Sequence, residues 1–406
     1  MQGSANGSVR LPLYVDGNAA SEKWVMLIGI NLAVLLPIGH QSMIGYFDGK
    51  TFVADASDVY DPTKVPADST VFEDFESTCS TFEELGWTAT GDFVCSGPRK
   101  ASTVNAGKIK GYLGNGIMTT CLSGGTGTGS IVSPKFTITE DYISFLIAGG
   151  YYPYNPVTAG TPEDNQVSMN LVVDGKVVHS QTGTNTENLV WRSWNVAGWV
   201  GKEAYLIVTD VNPGPSAHLH IDETVFSNSP KDEANWNDFG PDYYAAATYN
   251  GLPNSERTVV GWMNNWAYAN DIPTSTWRSA MSISRTLALK TINNKVRLVR
   301  NPHNFSALKC GETEVNVPAP YNARMKLALM FTRGTGTKFG VCLRSNATIT
   351  QETVIGYDFL GQNVFVHRFK SGNSSFVDSE RNAFPGYFMA TMPTKPTDLI
   401  EQRQLR

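Results

Sequence analysis

Charge is scarce in this chain of 406 residues. Asp, Glu, Lys and Arg make up 17% of it, and the formal net charge is -5. No run of Lys or Arg stands out, which argues against nucleic acid and anionic membranes as partners. Cysteine is also sparse, with Cys79, Cys95, Cys121, Cys310 and Cys342 and no CxxC pair, so zinc-ribbon and thioredoxin-like readings are weak. The odd count leaves at least one free thiol. Cys79 and Cys95 either bridge neighbouring strands or remain two unpaired, buried thiols. Long amphipathic helices are missing. The glycine runs GGTGTG (124–129) and RGTGTKFG (333–340) lack the Lys-Ser/Thr ending of a phosphate loop and open no helix, so they read as turns. The apolar stretch Trp24–Ile38 is too short for a standard membrane span and is interrupted by Asn31 and Pro37. What precedes it is too long and too poor in basic residues for an ordinary signal peptide. The expectation is a buried strand followed by an irregular segment, with a signal anchor as the alternative.

What is present points to strands. Apolar residues make up 41% of the chain, enough for a substantial core, and the length fits two or three domains. The stretches YVDGN, YFDGKTF and VVDGKVVHS each set Asp-Gly between β-formers, the strongest short hairpin signal. Period-two alternation recurs in ISFLIAGG (143–150), VSMNLVVD (167–174) and AYLIVTD (204–210). The fold class expected is all-β, as sandwiches or a propeller. Low charge with abundant Gly, Thr, Ser, Asn, Trp and Tyr fits an extracellular protein that meets neutral ligands, sugars foremost. Four N-x-S/T sequons, at Asn6, Asn304, Asn346 and Asn373, agree with a secretory route.

Three units emerge: residues 1–69, ending in the polar linker DASDVYDPTKVPADS; residues 70–229; and residues from 230 onward, opening with NWNDFGPDYYAAATYNG. In the middle unit, His218, His220 and Asp222 fall on one strand face by the two-residue period. They either seed a metal site or are polar groups meeting loops. No fourth partner is visible, and neither metal nor cofactor is assigned. Trp87, Trp191, Trp194 and Trp199 are sugar platforms or core tryptophans. Tyr243 and Tyr244 alternate along a strand, so one of the two packs inward.

The segment 238–290 combines DxGxDYYAA, GWMNNWAYANDIPT and WRSAMSxxR. It closely resembles the last propeller blade and exit strand of glycoside hydrolase family 32, the β-fructofuranosidases, inulinases and levanases. LPLYVDGNAASEKWVMLIGIN and IGYFDGKTFVAD resemble the blade that follows the family's acid/base strand, and the stretch between the two resembles a β-sandwich inserted in levanase-type members. The resemblance implies a partial five-bladed β-propeller (blade and linker 1–69, last blade 230–276), an inserted jelly-roll-like sandwich (70–229) and a C-terminal β-sandwich (277–406), which looks incomplete. It implies hydrolysis, with retention, of β-D-fructofuranosyl linkages in sucrose, levan or inulin, and an extracellular protein whose partner is a fructose-containing oligo- or polysaccharide. That chemistry needs a nucleophile and an acid/base carboxyl about 5–5.5 Å apart. The family's WMNDPNG-like, RDP and EC motifs are all missing, so no catalytic residue is assigned, and WMNN at Trp262–Asn265 has Asn where the nucleophile would stand. Both ends of residues 1–43 look truncated or misassembled. The residues that the resemblance leaves as sugar contacts are Trp262, as a wall of the fructose pocket, and Asp242 and Asp238 at its rim. Their alternatives are a core tryptophan and turn-stabilising carboxylates. Asn264 and Asn265 read as loop-bracing amides. Asn304, Asn346 and Asn373 are the candidate glycosylation sites. The competing readings are a non-catalytic, glycan-binding β-sandwich protein and a gene fragment without independent function.

Overall fold

The computed structural model describes residues 4–31, 39–231, 235–308, 335–372 and 389–393, apart from short gaps inside those spans. Its secondary structure there is strands and short 3-10 turns, as the all-β reading expects. No helix among the described residues is long and apolar enough to cross a membrane.

The first sheet is an antiparallel meander of β1 (Ser4–Tyr14), β2 (Glu22–Asn31), β3 (Gly39–Phe47) and β4 (Phe52–Ala54). Its turns use the Asp-Gly pairs. Asp16 and Gly17 both take left-handed φ (53° and 76°), a conformation that Asp tolerates and Gly adopts without steric cost. The apolar stretch from Trp24 to Asn31 lies in β2, with Val25 and Leu27 buried. Residues 32–38 lie outside the described residues.

Twelve strands follow: β5 (Thr70–Glu73), β6 (Thr88–Ala89), β7 (Arg99–Lys100), β8 (Gly116–Thr119), β9 (Gly129–Val132), β10 (Phe136–Thr137), β11 (Tyr142–Gly149), β12 (Val167–Val173), β13 (Lys176–Thr182), β14 (Thr186–Asn195), β15 (Glu203–Asp210) and β16 (Leu219–Ser227). They make two open sheets. One runs β13-β12-β15-β9-β6 with β10 beside β15, and the other runs β14-β11-β16-β8-β7 with β5 beside β16. Period-two alternation puts Ile143, Phe145 and Ile147 of β11 against Met169, Leu171 and Val173 of β12, together with Leu206, Val208, Leu219 and Ile221, in one core. Each large side chain fully buried there contributes about 1.5–3 kcal/mol. The sheet containing β11 is buried on its outer face too. Ala101, Val104 and Ile109, from the segment that crosses it, pack on Leu146, Ala148, Leu189 and Trp191. This explains why β11 is buried at every position. β5 pairs with β16, Thr70 opposite Phe226, so the chain enters and leaves this region side by side.

The next sheet is the meander β17 (Tyr244–Thr248), β18 (Thr258–Trp262), β19 (Arg285–Ile292) and β20 (Lys295–Pro302). It shares a core with the first sheet, Leu13, Val25, Leu27 and Ile44 packing with Tyr243, Val259, Leu287 and Leu289. Thr291 donates its backbone N–H (3.1 Å) and its hydroxyl (2.6 Å) to the Asp16 carboxylate, closing that junction. A last four-stranded sheet follows the same order: β21 (Lys338–Leu343), β22 (Glu352–Asp358), β23 (Asn363–Lys370) and β24 (Met389–Pro393).

Two expectations need correction. Cys79 and Cys95 are neither bridged nor buried. Both are free thiols exposed in loops, because the turns that carry them do not lie on paired strands. Tyr243 and Tyr244 do not split between core and solvent but are both buried, 1% and 9% exposed. Tyr243 lies just before β17, in which burial alternates regularly from Tyr244 onward, so the strand period does not extend back to Tyr243.

Candidate functional site

The segment around β17 and β18 gathers the residues singled out in the sequence. Trp262, at the end of β18, pairs with Tyr244, and their rings meet edge to face at 6.5 Å. It is half-buried. Tyr244 in turn meets His40 of β3, whose Nε2 accepts the Ala246 N–H at 2.9 Å. Gly29 makes this fit possible, since a Cβ there would stand 3.3 Å from both the His40 and Tyr244 rings.

The two rim acids are each held by an arginine. Arg368 of β23 donates to Asp242 Oδ2 at 2.7 Å, tying this sheet to the last one. Arg285 of β19 reaches Asp238 Oδ1 at 3.4 Å and lies 4.7 Å over the Tyr243 ring. Burial pushes the Asp238 carboxyl up, and Arg285 pulls it back in part. Arg300 donates to Asn237 Oδ1 and to the Trp236 carbonyl, both at 2.7 Å, and its burial lowers it to about 10. Carboxylates paired in this way accept hydrogen bonds from hydroxyl groups. Asn264 is 2% exposed and braces the loop by donating to Ser279 Oγ at 2.7 Å, while Asn265 lies outside the described residues.

The other candidates divide. Trp87, Trp191 and Trp194 are at most 4% exposed and belong to cores, and Trp199 packs partly buried against one. Asn304 is exposed, whereas Asn346, Asn373 and Cys310 lie outside the described residues. His220 and Asp222 are fully buried, but Asp222 is engaged by backbone, accepting the Leu113 N–H at 2.8 Å and the Glu223 N–H at 2.8 Å. The histidines instead meet Glu187 of β14, which the sequence reading missed. Burial would raise Glu187, but hydrogen bonds from His218 and His220 outweigh it and hold the carboxyl well below its usual range. One signal was available, namely that Glu187 occupies the same strand parity as the buried Leu189 and Trp191.

A cleft of about 450 Å³ opens between the two-sheet region, the connector at 230–239 and the last sheet. Trp236, Phe239, Tyr142 and Tyr151 are among its aromatic lining residues.

Comparison with known proteins gives the class first. Residues 186–302 match the model described as glycosyl hydrolases family 32 N-terminal domain, and residues 289–397 match the family 32 C terminal model. An Aspergillus rugulosus protein, ecdE, named provisionally as a glycosyl hydrolase, is 35% identical over 97% of this chain and 56% of its own length. The extracellular exo-inulinase of Aspergillus niger is 42% identical over 38% of this chain and 31% of its own. The levanase of Bacillus subtilis is 35% identical over 38% of this chain and 25% of its own. The chain thus spans about half the length of one curated relative and less of the others. The crystal structure of an exo-inulinase from Aspergillus awamori aligns over 97% of this chain and 73% of that one, with 22% identity and a TM-score of 0.33. The chain belongs to glycoside hydrolase family 32.

Proposed function

We propose that this chain carries the back portion of a secreted β-fructofuranosidase acting on levan, inulin or sucrose. In this reading β1–β4 and the sheet of β17–β20 belong to two blades of a five-bladed propeller, residues 70–229 are a module inserted between them, and the residues after β20 continue into a C-terminal β-sandwich. The observation that carries it is the single core shared by two meanders from either side of the two-sheet region, the packing that neighbouring blades require. The identities of the relatives, an exo-inulinase and a levanase, support the fructan substrate. Trp262, half-buried, then borders the fructose pocket, while Asp238 and Asp242, held by arginines, accept hydroxyl hydrogen bonds at the rim.

The 406 residues contain neither Arg-Asp-Pro nor Glu-Cys, and a nucleophile and a general acid act as a unit. The chain alone is therefore expected to release no fructose from sucrose, levan or inulin beyond a boiled control, and clear release would overturn that expectation. Transcript sequencing upstream of Met1 tests the parent activity. In-frame carboxylate motifs there, followed by fructose release from the extended protein, support the reading. An extended protein that cleaves a different glycan and no fructoside refutes it. A second reading, glycan binding without catalysis, is favoured by the aromatic cleft. Binding of fructan to the inactive chain, lost on Trp236→Ala, would support it.

A further inference from the structure

β11 lies between β14 and β16, and near its end it carries Ala148 and then Gly149. Gly149 has φ 122°, and a Cβ there would collide with the His218 carbonyl at 2.1 Å. With so little side chain on the middle strand, groups from the two flanking strands meet across it. Glu187 comes from β14, His220 from β16, and His218 from the residue just before β16. His218 Nε2 is 2.9 Å from Glu187 Oε1, and His220 Nε2 is 2.9 Å from Glu187 Oε2. All three side chains are buried, 7%, 0% and 5% exposed for His218, His220 and Glu187.

A buried carboxylate is costly unless a positive charge faces it. The ion-pair partners of Glu187 among the described residues are these two histidines, and no lysine or arginine pairs with it there. Two further buried atoms nearby are unpartnered. His218 Nδ1 has no hydrogen-bond partner, and neither does Oδ2 of Asp210, which interacts electrostatically with His218. A converging carboxylate and two imidazoles are the donor set that a divalent cation takes.

We propose that Glu187, His218 and His220 bind a divalent transition metal of the zinc class, which clamps β14 to β16 across β11. One nitrogen from each ring and one carboxylate oxygen already lie within 4.8 Å of one another. Zinc bonds of about 2.0–2.1 Å in a tetrahedron set ligands roughly 3.3 Å apart. Each ring now contacts a different carboxylate oxygen at 2.9 Å, so the side chains must turn to present one oxygen and two nitrogens to a common centre. Two imidazoles with one carboxylate suit zinc, and full burial suits a structural rather than a catalytic role. The fourth position falls to water. For both rings to offer Nε2, each must be neutral and carry its proton on Nδ1, so binding replaces the Nε2 hydrogen bonds to Glu187. His220 is prepared for this. Its Nδ1 is 2.9 Å from Thr119 Oγ1, the kind of outer partner that fixes the ring of a metal-bound histidine.

The test uses the full chain without a histidine tag. The metal content of the purified protein is measured, the metal is stripped with a chelator, and Zn²⁺ and Co²⁺ are titrated back by calorimetry and visible spectroscopy. One metal per chain is expected, with tetrahedral Co²⁺ bands and a higher melting temperature in the zinc form. Glu187→Gln should lose stoichiometric binding. Thr119→Val, which keeps all three ligands, should weaken binding about tenfold while the apo-protein still melts cooperatively. A folded wild-type chain that binds neither ion stoichiometrically overturns the proposal, as does unchanged affinity in Glu187→Gln.

Discussion

Asp58 shows how a single buried carboxyl sets a pH response. It accepts the Ile44 N–H at 2.5 Å and a hydrogen bond from the Asn235 side chain, joining β3 to the connector that follows the two-sheet region. Burial pushes it up to about 6, with those hydrogen bonds opposing the rise. A carboxyl raised in the folded state stabilises the fold fully below its unfolded pKa of about 4 and loses that contribution as the pH rises through about 6. Urea denaturation should therefore show stability from this group falling by about 1.4 kcal/mol per pH unit between those limits. Asp58→Asn should flatten that part of the profile, and an unchanged slope would show that Asp58 ionises normally. Glu187 has the opposite sign in the metal-free chain. Held low, it contributes stability above its ordinary pKa that is lost as the pH falls further.

At the scale of strands and turns, two glycines separate strain from collision. Gly175, in the β12–β13 turn, has φ 71° and open space around it, whereas Gly149 has both a positive φ and a backbone carbonyl in the way. Gly175→Ala should cost about 1–2 kcal/mol, the left-handed penalty alone. Gly149→Ala should cost more, and equal losses in a urea titration would contradict the close packing of β11 against His218. Phe145→Ala, in the core between the two sheets, should cost about 3–5 kcal/mol. The β12–β13 turn was legible in the sequence because Asp174-Gly175 sits between two runs with strand periodicity, and the strand at Trp24–Asn31 because its apolar residues are bounded. The pairing of Glu187 with His218 and His220 was not legible. The three residues come from strands separated by a third, and a period-two pattern reports the face a residue occupies, never which distant strand lies alongside. The arginine partners of Asp238 and Asp242 escaped for the same reason, since Arg368 lies in a different sheet.

For the whole molecule, the main cores divide by region. Every residue of the core between the two six-stranded sheets lies between Phe72 and Phe226, and the core of the flanking meanders contains none of them. A fragment of residues 60–231, which keeps the hydrogen bond from Trp191 Nε1 to the Pro62 carbonyl, should fold alone and melt in one cooperative step. Broad, non-cooperative melting would mean that the meanders support it. The remaining chain exposes Tyr46, Val53, Met263, Trp277, Met281 and Ile283, all at least 48% accessible. Apolar surface of that extent, beside open sheet edges, should make the 406-residue protein self-associate with concentration in analytical ultracentrifugation.

The pairing of Thr70 with Phe226 also bears on how the polypeptide assembles. Asp16 and Thr291 are 275 residues apart, and closing so long a chain would ordinarily be slow. Once β5 and β16 are zipped together, the intervening residues act as one short connection, and the effective distance along the chain between the two meanders collapses. The expected order is that the middle region folds first and the outer sheets then find each other as near neighbours. Weakening the middle with Phe145→Ala should accordingly slow the burial of Leu13, Leu27 and Leu287, residues that Phe145 never touches.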